Sequence, residues 1–185
     1  MDSDERTEYY TQLEEAKAKF YEKNRKNLFF KNKQKLECAQ TMTDEFDLNK
    51  MISCTAFIVP NTNIIYYNYL VFKLYGHESN QKEVYAHFIG LIRSILEKYE
   101  TYEVHVNLKT FTVSACQRYF KMITSSFDEN TFLTEKMSKL VIYNTPSIVD
   151  QLTTLLYASI RSILPKTEYY YKDISDARIN TLFEI

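Results

Sequence analysis

Glycine is nearly missing from this chain: Gly76 and Gly90 are the two glycines in 185 residues. Neither stands in a dinucleotide fingerprint or a P-loop, so nucleotide hydrolysis of those kinds is excluded. Tryptophan is absent, and the three prolines are Pro60, Pro146 and Pro165. The three cysteines (Cys38, Cys54, Cys116) lie far apart with no Cys-x-x-Cys pair. That spacing argues against a zinc ribbon or a disulfide scaffold and predicts buried free thiols. No His, Cys or carboxylate pair has a recognised ligand spacing, and neither a metal nor another cofactor is expected. Long apolar runs are missing too. The longest, from Ile64 to Phe72, is interrupted by Asn68 and falls far short of the roughly 20 residues that span a bilayer. The start, MDSDERTEYY, is acidic and polar, where a secretory signal would be basic and then apolar. A cytoplasmic protein, with peripheral contact to membranes at most, is the expectation.

What is present fits a globular domain. Hydrophobic residues make up 45% and charged residues 25%, and the length suits one domain with a sizeable core. Two segments are expected: a basic, helical N-terminal region with its linker over 1–50, and an α/β domain over 51–185. The formal net charge of -1 hides an asymmetry. Between Lys17 and Lys35 eight basic residues meet a single acidic one, Glu22, for a local net of +7. Interleaved with Phe20, Tyr21, Phe29 and Phe30, this stretch has the chemistry to touch anionic lipid headgroups or nucleic acid. The plainer reading is a solvated helix face lying on the core through its aromatics.

Residues 8–36 read as helical, and the polar segment from Thr41 to Ser53 as a link to the sheet. IIYYNYLVFK (64–73) is apolar on both faces, as in a strand buried from both sides. Met51 to Val59 is its expected antiparallel hairpin partner across the turn at Pro60. From Asn80 to Tyr99, Val84, Phe88, Ile92 and Ile95 recur at helical spacing, with Asn80 and Glu83 as a capping box. Gly90 lies off that stripe and marks either a close helix crossing or a tolerated surface position. Tyr102 to Lys109 alternates: Tyr102, Val104, Val106 and Leu108 on one face, Glu103, His105, Asn107 and Lys109 on the other. A helix is expected over 114–127 with Ser114 and Gln117 as its capping box, and Cys116, Phe120 and Ile123 in register. A short strand over 140–143 and a helix over 147–164 capped by Ser147 follow, then a helical tail from Ser175. Strands separated by helices require crossovers, so the sheet is expected to be mixed, largely parallel and covered on both faces. A ligand would lie near the strand C-terminal ends or under a movable helix.

Catalytic chemistry is poorly represented. His105 shares a strand face with Glu103 and Asn107, and that polar cluster is either a catalytic fragment or a satisfied structural histidine. No Gly-x-Ser-x-Gly nucleophile motif accompanies it, and a non-enzymatic protein is expected.

Two short signatures carry a resemblance. VNLKTFTVS (Val106 to Ser114) follows the pattern of a strand ending in hydrophobic-Asp-Leu-Lys-Gly before a helix opening with Ser or Thr. FLTEKMSKLVIYNTP (Phe132 to Pro146) follows the Tyr-Pro-Glu-Arg-Met-x-Lys pattern that leads into an apolar strand and Asn-Ala-Pro. With the order of elements from Met51 to Lys166, these make the chain resemble a divergent, minimal CRAL-TRIO domain, the lipid-carrying fold of phosphatidylinositol-transfer proteins and of retinaldehyde and tocopherol carriers. The resemblance implies non-enzymatic binding of a hydrophobic ligand, a phospholipid above all, between the sheet and a lid helix over 147–164. Leu152, Leu155, Leu156 and Ile160 would take the acyl chain, with His105 facing the site. Glu135 and Lys166 stand where the family organises a phosphoinositide headgroup. Lys23, Arg25, Lys26, Lys31 and Lys33 would then contact an anionic membrane surface, and nucleic acid is not expected as a partner. The chain departs from the pattern at Asn107 and Thr110, which replace aspartate and glycine, and no C-terminal strand is legible after the lid. These departures keep an alternative open: a ligand-free protein-protein interaction module on a collapsed version of the fold.

Overall fold

The structure is a computed structural model that describes residues 1–24, 30–128 and 131–183. The expected helical region resolves into two helices, α1 (Ser3–Lys23) and α2 (Lys31–Glu45). Asp2 and Glu5 start α1 with a reciprocal capping box, each side chain accepting the other's backbone N–H at 2.9 and 3.0 Å. Tyr9 and Leu13 of α1 and Cys38, Ala39 and Met42 of α2 are buried. All but Ala39 belong to one apolar cluster that also holds Met51, Tyr69, Phe72 and Tyr119. Residues on both sides of position 50 thus share a core. The three cysteines are buried free thiols.

Helix α3 (Leu48–Thr55) occupies most of the segment expected as a hairpin strand. Asp47 explains the difference: its carboxylate accepts the N–H groups of Asn49 and Lys50 and commits the next residues to helix. Strand β1 (Ala56–Ile58) keeps the expected antiparallel pairing with β2 (Ile64–Asn68) across the Pro60 turn. The strand expected over 64–73 ends at Asn68, whose side chain caps the helix α4 (Tyr69–Tyr75). A continuous apolar run fits a buried strand and a buried helix equally, and the asparagine decides.

Helix α5 (Gln81–Leu96) forms as expected, but Asn80 does not cap it. Its amide instead donates to the Tyr75 carbonyl and the Thr43 hydroxyl at 2.9 and 3.0 Å, tying α2 to the end of α4. Gly90 faces open space, as a tolerated surface glycine does. Strand β3 (Tyr102–Asn107) is followed by α6 (Val113–Asp128), α7 (Thr131–Lys136) and β4 (Met137–Tyr143). At the start of α6, Thr112 rather than Ser114 accepts a helical N–H, that of Ala115; Ser114 donates to Asn32. Helix α8 (Val149–Ile160) begins without a side-chain cap, so Ser147 does not play that part. A strand not legible in the sequence, β5 (Thr167–Tyr169), then pairs parallel to β4, and α9 (Lys172–Phe183) ends the described chain.

The five strands lie in the order β1-β2-β3-β4-β5, with β2 to β5 parallel. The architecture is thus α/β, with a mixed, mostly parallel sheet. Parallel neighbours in chain order, joined by right-handed crossovers, put every crossover helix on the same side of the sheet. Residues of α4, α5, α6 and α8 accordingly meet on one face. Helix α9 lies on the other, where Leu182 packs with Val59 and Tyr66, and Arg6 of α1 stacks on Phe57 of the same face at 3.8 Å. Because the strand order never reverses, the sheet has no switch-point crevice. A site must therefore form between the sheet and its helices.

Candidate functional site

Alternation along β3 builds the floor of such a site. Tyr102, Val104 and Val106, with Leu108 just beyond the strand, face the helical layer, and Leu140 and Ile142 of β4 extend the same surface. Above them lies a cavity of about 350 Å³. Val84 and Phe88 of α5, Tyr119, Met122 and Ile123 of α6, and Tyr69 and Phe72 of α4 form its walls. Helix α8 roofs it with Val149, Leu152, Leu156 and Ile160, a stripe at helical spacing. No charged side chain lines it among the described residues. Close-packed interiors hold few voids larger than a water molecule. An apolar void of this size is one that water occupies poorly and an apolar guest occupies well.

Three of the four predicted lid residues therefore meet at the cavity: Leu152, Leu156 and Ile160. Leu155 falls off their stripe and is 51% exposed on the outer side of α8. The aromatic walls from α4 and α6 were not foreseen. Their signal was present in Tyr69, Phe72 and Tyr119, but a sequence does not say which side of a buried helix faces empty space.

Lys166 and Glu135 also come together, though through the glutamate's backbone. The Lys166 ammonium donates to the carbonyls of Met137 at 2.7 Å, Thr134 at 3.0 Å and Glu135 at 3.5 Å. It thereby fixes the end of α7 to the turn that follows α8, where a cation also meets the negative end of the helix dipole. An ammonium has three donors, all directed here at main chain, so a phosphate at Lys166 must displace at least one of these bonds. The Glu135 side chain is exposed.

His105 is not part of this group. The alternation that sends Val104 and Val106 into the cavity sends His105 to the opposite sheet face, under α9. Its Nδ1 lies 2.9 Å from the Tyr143 hydroxyl and its Nε2 3.2 Å from a Glu103 carboxylate oxygen. The carboxylate can only accept, so Nε2 carries the proton and Nδ1 accepts from Tyr143. Burial holds the imidazole below its ordinary range, against the opposing pull of Glu103, and burial pushes the Tyr143 phenol up to about 12. Asn107, on the same face, holds a second set of bonds, donating to the Tyr66 hydroxyl and accepting from the Lys109 N–H and the Asn144 amide. Each polar group has a partner, as in a satisfied structural cluster.

Among the predicted membrane-contact residues, Arg25 and Lys26 lie outside the described residues. Lys23 and Lys31 are exposed, and Lys33 pairs with Glu37 at 3.9 Å on the surface of α2. No cluster of metal-ligating side chains exists among the described residues. No described helix is long and apolar enough to cross a membrane. No protein-family model matches the chain, and neither a curated protein nor a solved structure shows significant similarity to it.

Proposed function

We propose that this protein binds a hydrophobic ligand, without catalysis, between its sheet and α8, and exchanges it at a membrane surface. The observation that carries this reading is the cavity of about 350 Å³ whose described lining holds no charge. Small-molecule sites run from about 300 to 1,000 Å³, so the space suits one acyl chain or a compact ring system rather than the whole interior of a two-chain lipid. Each methylene taken from water would contribute about 0.8 kcal/mol. Thr134, Thr153 and Thr167, with six tyrosines that include Tyr69 and Tyr119, bring hydroxyls to an otherwise apolar lining and could fix the polar end of the guest.

Helix α8 is the part suited to move. It starts without a side-chain cap, and α6 is its main partner in the helical layer. Swinging it outward would open the cavity along its length. The likeness of two segments to the CRAL-TRIO pattern supports the same reading. Thr110, which replaces that pattern's glycine, adopts the left-handed conformation, with φ at 68°, that glycine adopts most readily.

Native mass spectrometry of protein purified from cells, before and after organic extraction, tests the proposal. A stoichiometric apolar guest is expected, and Val106→Phe, which fills the cavity floor, should lose it. A clean apo mass together with no uptake of a fluorescent fatty acid or phospholipid from vesicles would overturn it. A second reading, a ligand-free interaction module, draws on Leu155 and Tyr157, which are 51% and 57% exposed on the outer side of α8. It predicts that Leu155→Ser and Tyr157→Ser abolish a protein complex while Val106→Phe leaves that complex intact.

A further inference from the structure

The fold sorts the basic residues of α1 and α2 and adds others from distant parts of the chain. Lys73 of α4, a helix packed against α1 and α2, and Arg118 of α6 lie near Lys17, Lys31 and Lys35. One bond holds Arg118 there, and another turns Lys73 toward the loop after β3. Arg118 Nη2 donates to Asn32 Oδ1 at 2.9 Å, pinning α6 to the start of α2, and Lys73 Nζ donates to Thr110 Oγ1 at 3.3 Å, pinning α4 to the loop after β3. Arg118 Nε is buried without a hydrogen-bond partner.

The charges feel one another. The Lys73 ammonium sits below its ordinary range, through burial first and then repulsion by Lys17 and Lys35, with Glu14 opposing. Lys35 is lowered too, by partial burial and then by Arg118 and Lys31. Glu14 already binds Lys17 and accepts from the Tyr10 hydroxyl at 2.9 Å, and Glu22 lies beside the same lysine. Five cations against these two carboxylates leave a local net charge of +3, in a chain whose overall formal charge is -1. Beside them Phe30, immediately before Lys31, is 64% exposed.

We infer that Lys17, Lys31, Lys35, Lys73 and Arg118 form a cradle for the phosphate groups of an anionic lipid headgroup, with Phe30 entering the interfacial layer beside it. Clustered ammonium groups suit a multiply charged phosphate, and Arg118, whose Nη atoms are held by Asn32 Oδ1 at 2.9 Å and the Tyr119 hydroxyl at 3.5 Å, adds positive charge from behind them. An exposed aromatic next to unpaired basic groups is the combination that holds a protein at an anionic membrane surface. The inference rests on the membrane-exchange reading above and gives it a specific docking site. Lys33, though within the same basic stretch, lies toward Glu37 and is not among the cations that repel Lys35 or Lys73, so it stands outside the cradle.

The test is co-sedimentation of the full chain with phosphatidylcholine vesicles, with and without phosphatidylinositol phosphate, across a salt series. Binding should require the anionic lipid and weaken with salt. Lys35→Gln and Lys73→Gln, 38 positions apart in the sequence, should each cost about five-fold in affinity; Lys33→Gln should cost clearly less. Inositol hexaphosphate should displace the protein from the vesicles. Equal losses at Lys33 and Lys35, with none at Lys73, would mean diffuse attraction to the linear stretch and would overturn the cradle. Binding of inositol hexaphosphate or inorganic phosphate without vesicle binding would overturn the lipid assignment, as would tighter binding of single-stranded RNA at equal salt. Val106→Phe should keep vesicle binding even where it loses the apolar guest, so the cradle and the cavity fail separately.

Discussion

The two faces of the sheet differ in what their alternating residues meet. On one face Val104, Val106, Leu140 and Ile142 look into space that four helices surround without filling. On the other, Tyr66, His105, Asn107 and Tyr143 are all buried and hydrogen-bonded in two pairs, Tyr66 with Asn107 and His105 with Tyr143, with aromatic contacts reaching Phe57, Tyr170 and Phe183. The apolar face is the loosely packed one and the polar face is tightly closed. Hydrogen bonds fix a unique arrangement where their partners are few and directional, whereas apolar walls tolerate a gap that a guest can fill. The specificity of the fold is thus concentrated opposite the proposed site.

The largest expected effect is on the closed face. Tyr66→Ala removes ring contacts with Phe57 and Phe183 and the partner of the Asn107 amide, and should cost about 3–5 kcal/mol by urea unfolding. On the open side, Lys166→Met keeps the side-chain stem but frees the carbonyls of Thr134 and Met137. A loss of about 2 kcal/mol is expected, and a loss near zero would mean that water replaces the ammonium at no cost.

A matched pair compares the faces directly. Val141 and Val106 lie on neighbouring strands and point to opposite sides. Val141→Ala should cost about 2 kcal/mol, and Val106→Ala, which enlarges a void already there, about half as much. Equal costs would show the cavity to be packed in solution.

The smallest effect is the pH dependence at His105. Burial lowers its folded pKa from the ordinary 6.5, so the unfolded chain takes up the proton more readily. Stability from this group is present above pH 6.5 and lost as pH falls below it. Urea midpoints should fall between pH 7 and 5, with a shallower fall in His105→Gln.

Much of this contrast was legible in the alternation of Tyr102 to Leu108 against Glu103 to Lys109, which separates the faces without saying what covers each. The parallel strands and the helix after Asn80 were equally plain from spacing; the resemblance pointed to Leu152, Leu156 and Ile160 but counted Leu155 with them, which faces outward. What escaped was decided by single polar residues. Asp47 and Asn68 turn apolar segments into helices, and Asn80 abandons its cap for Thr43 and Tyr75. Strand β5 was hidden because Thr167, Glu168 and Tyr169 are too short a run to show a period. The cradle escaped because Lys73 and Arg118 join Lys17 and Lys35 only through the fold.

The strand order has one further consequence. Because the spatial order of the strands repeats their order of synthesis, each strand leaving the ribosome finds its partner already made, and the sheet can grow in the direction of translation without waiting for a later segment. Helix α9 is made last among the described elements. Once the chain has emerged from the ribosome as far as Tyr171, all five strands and the four helices that surround the cavity are free to fold, while the face bearing Tyr66, His105 and Tyr143 still lies open to any chaperone at the tunnel exit.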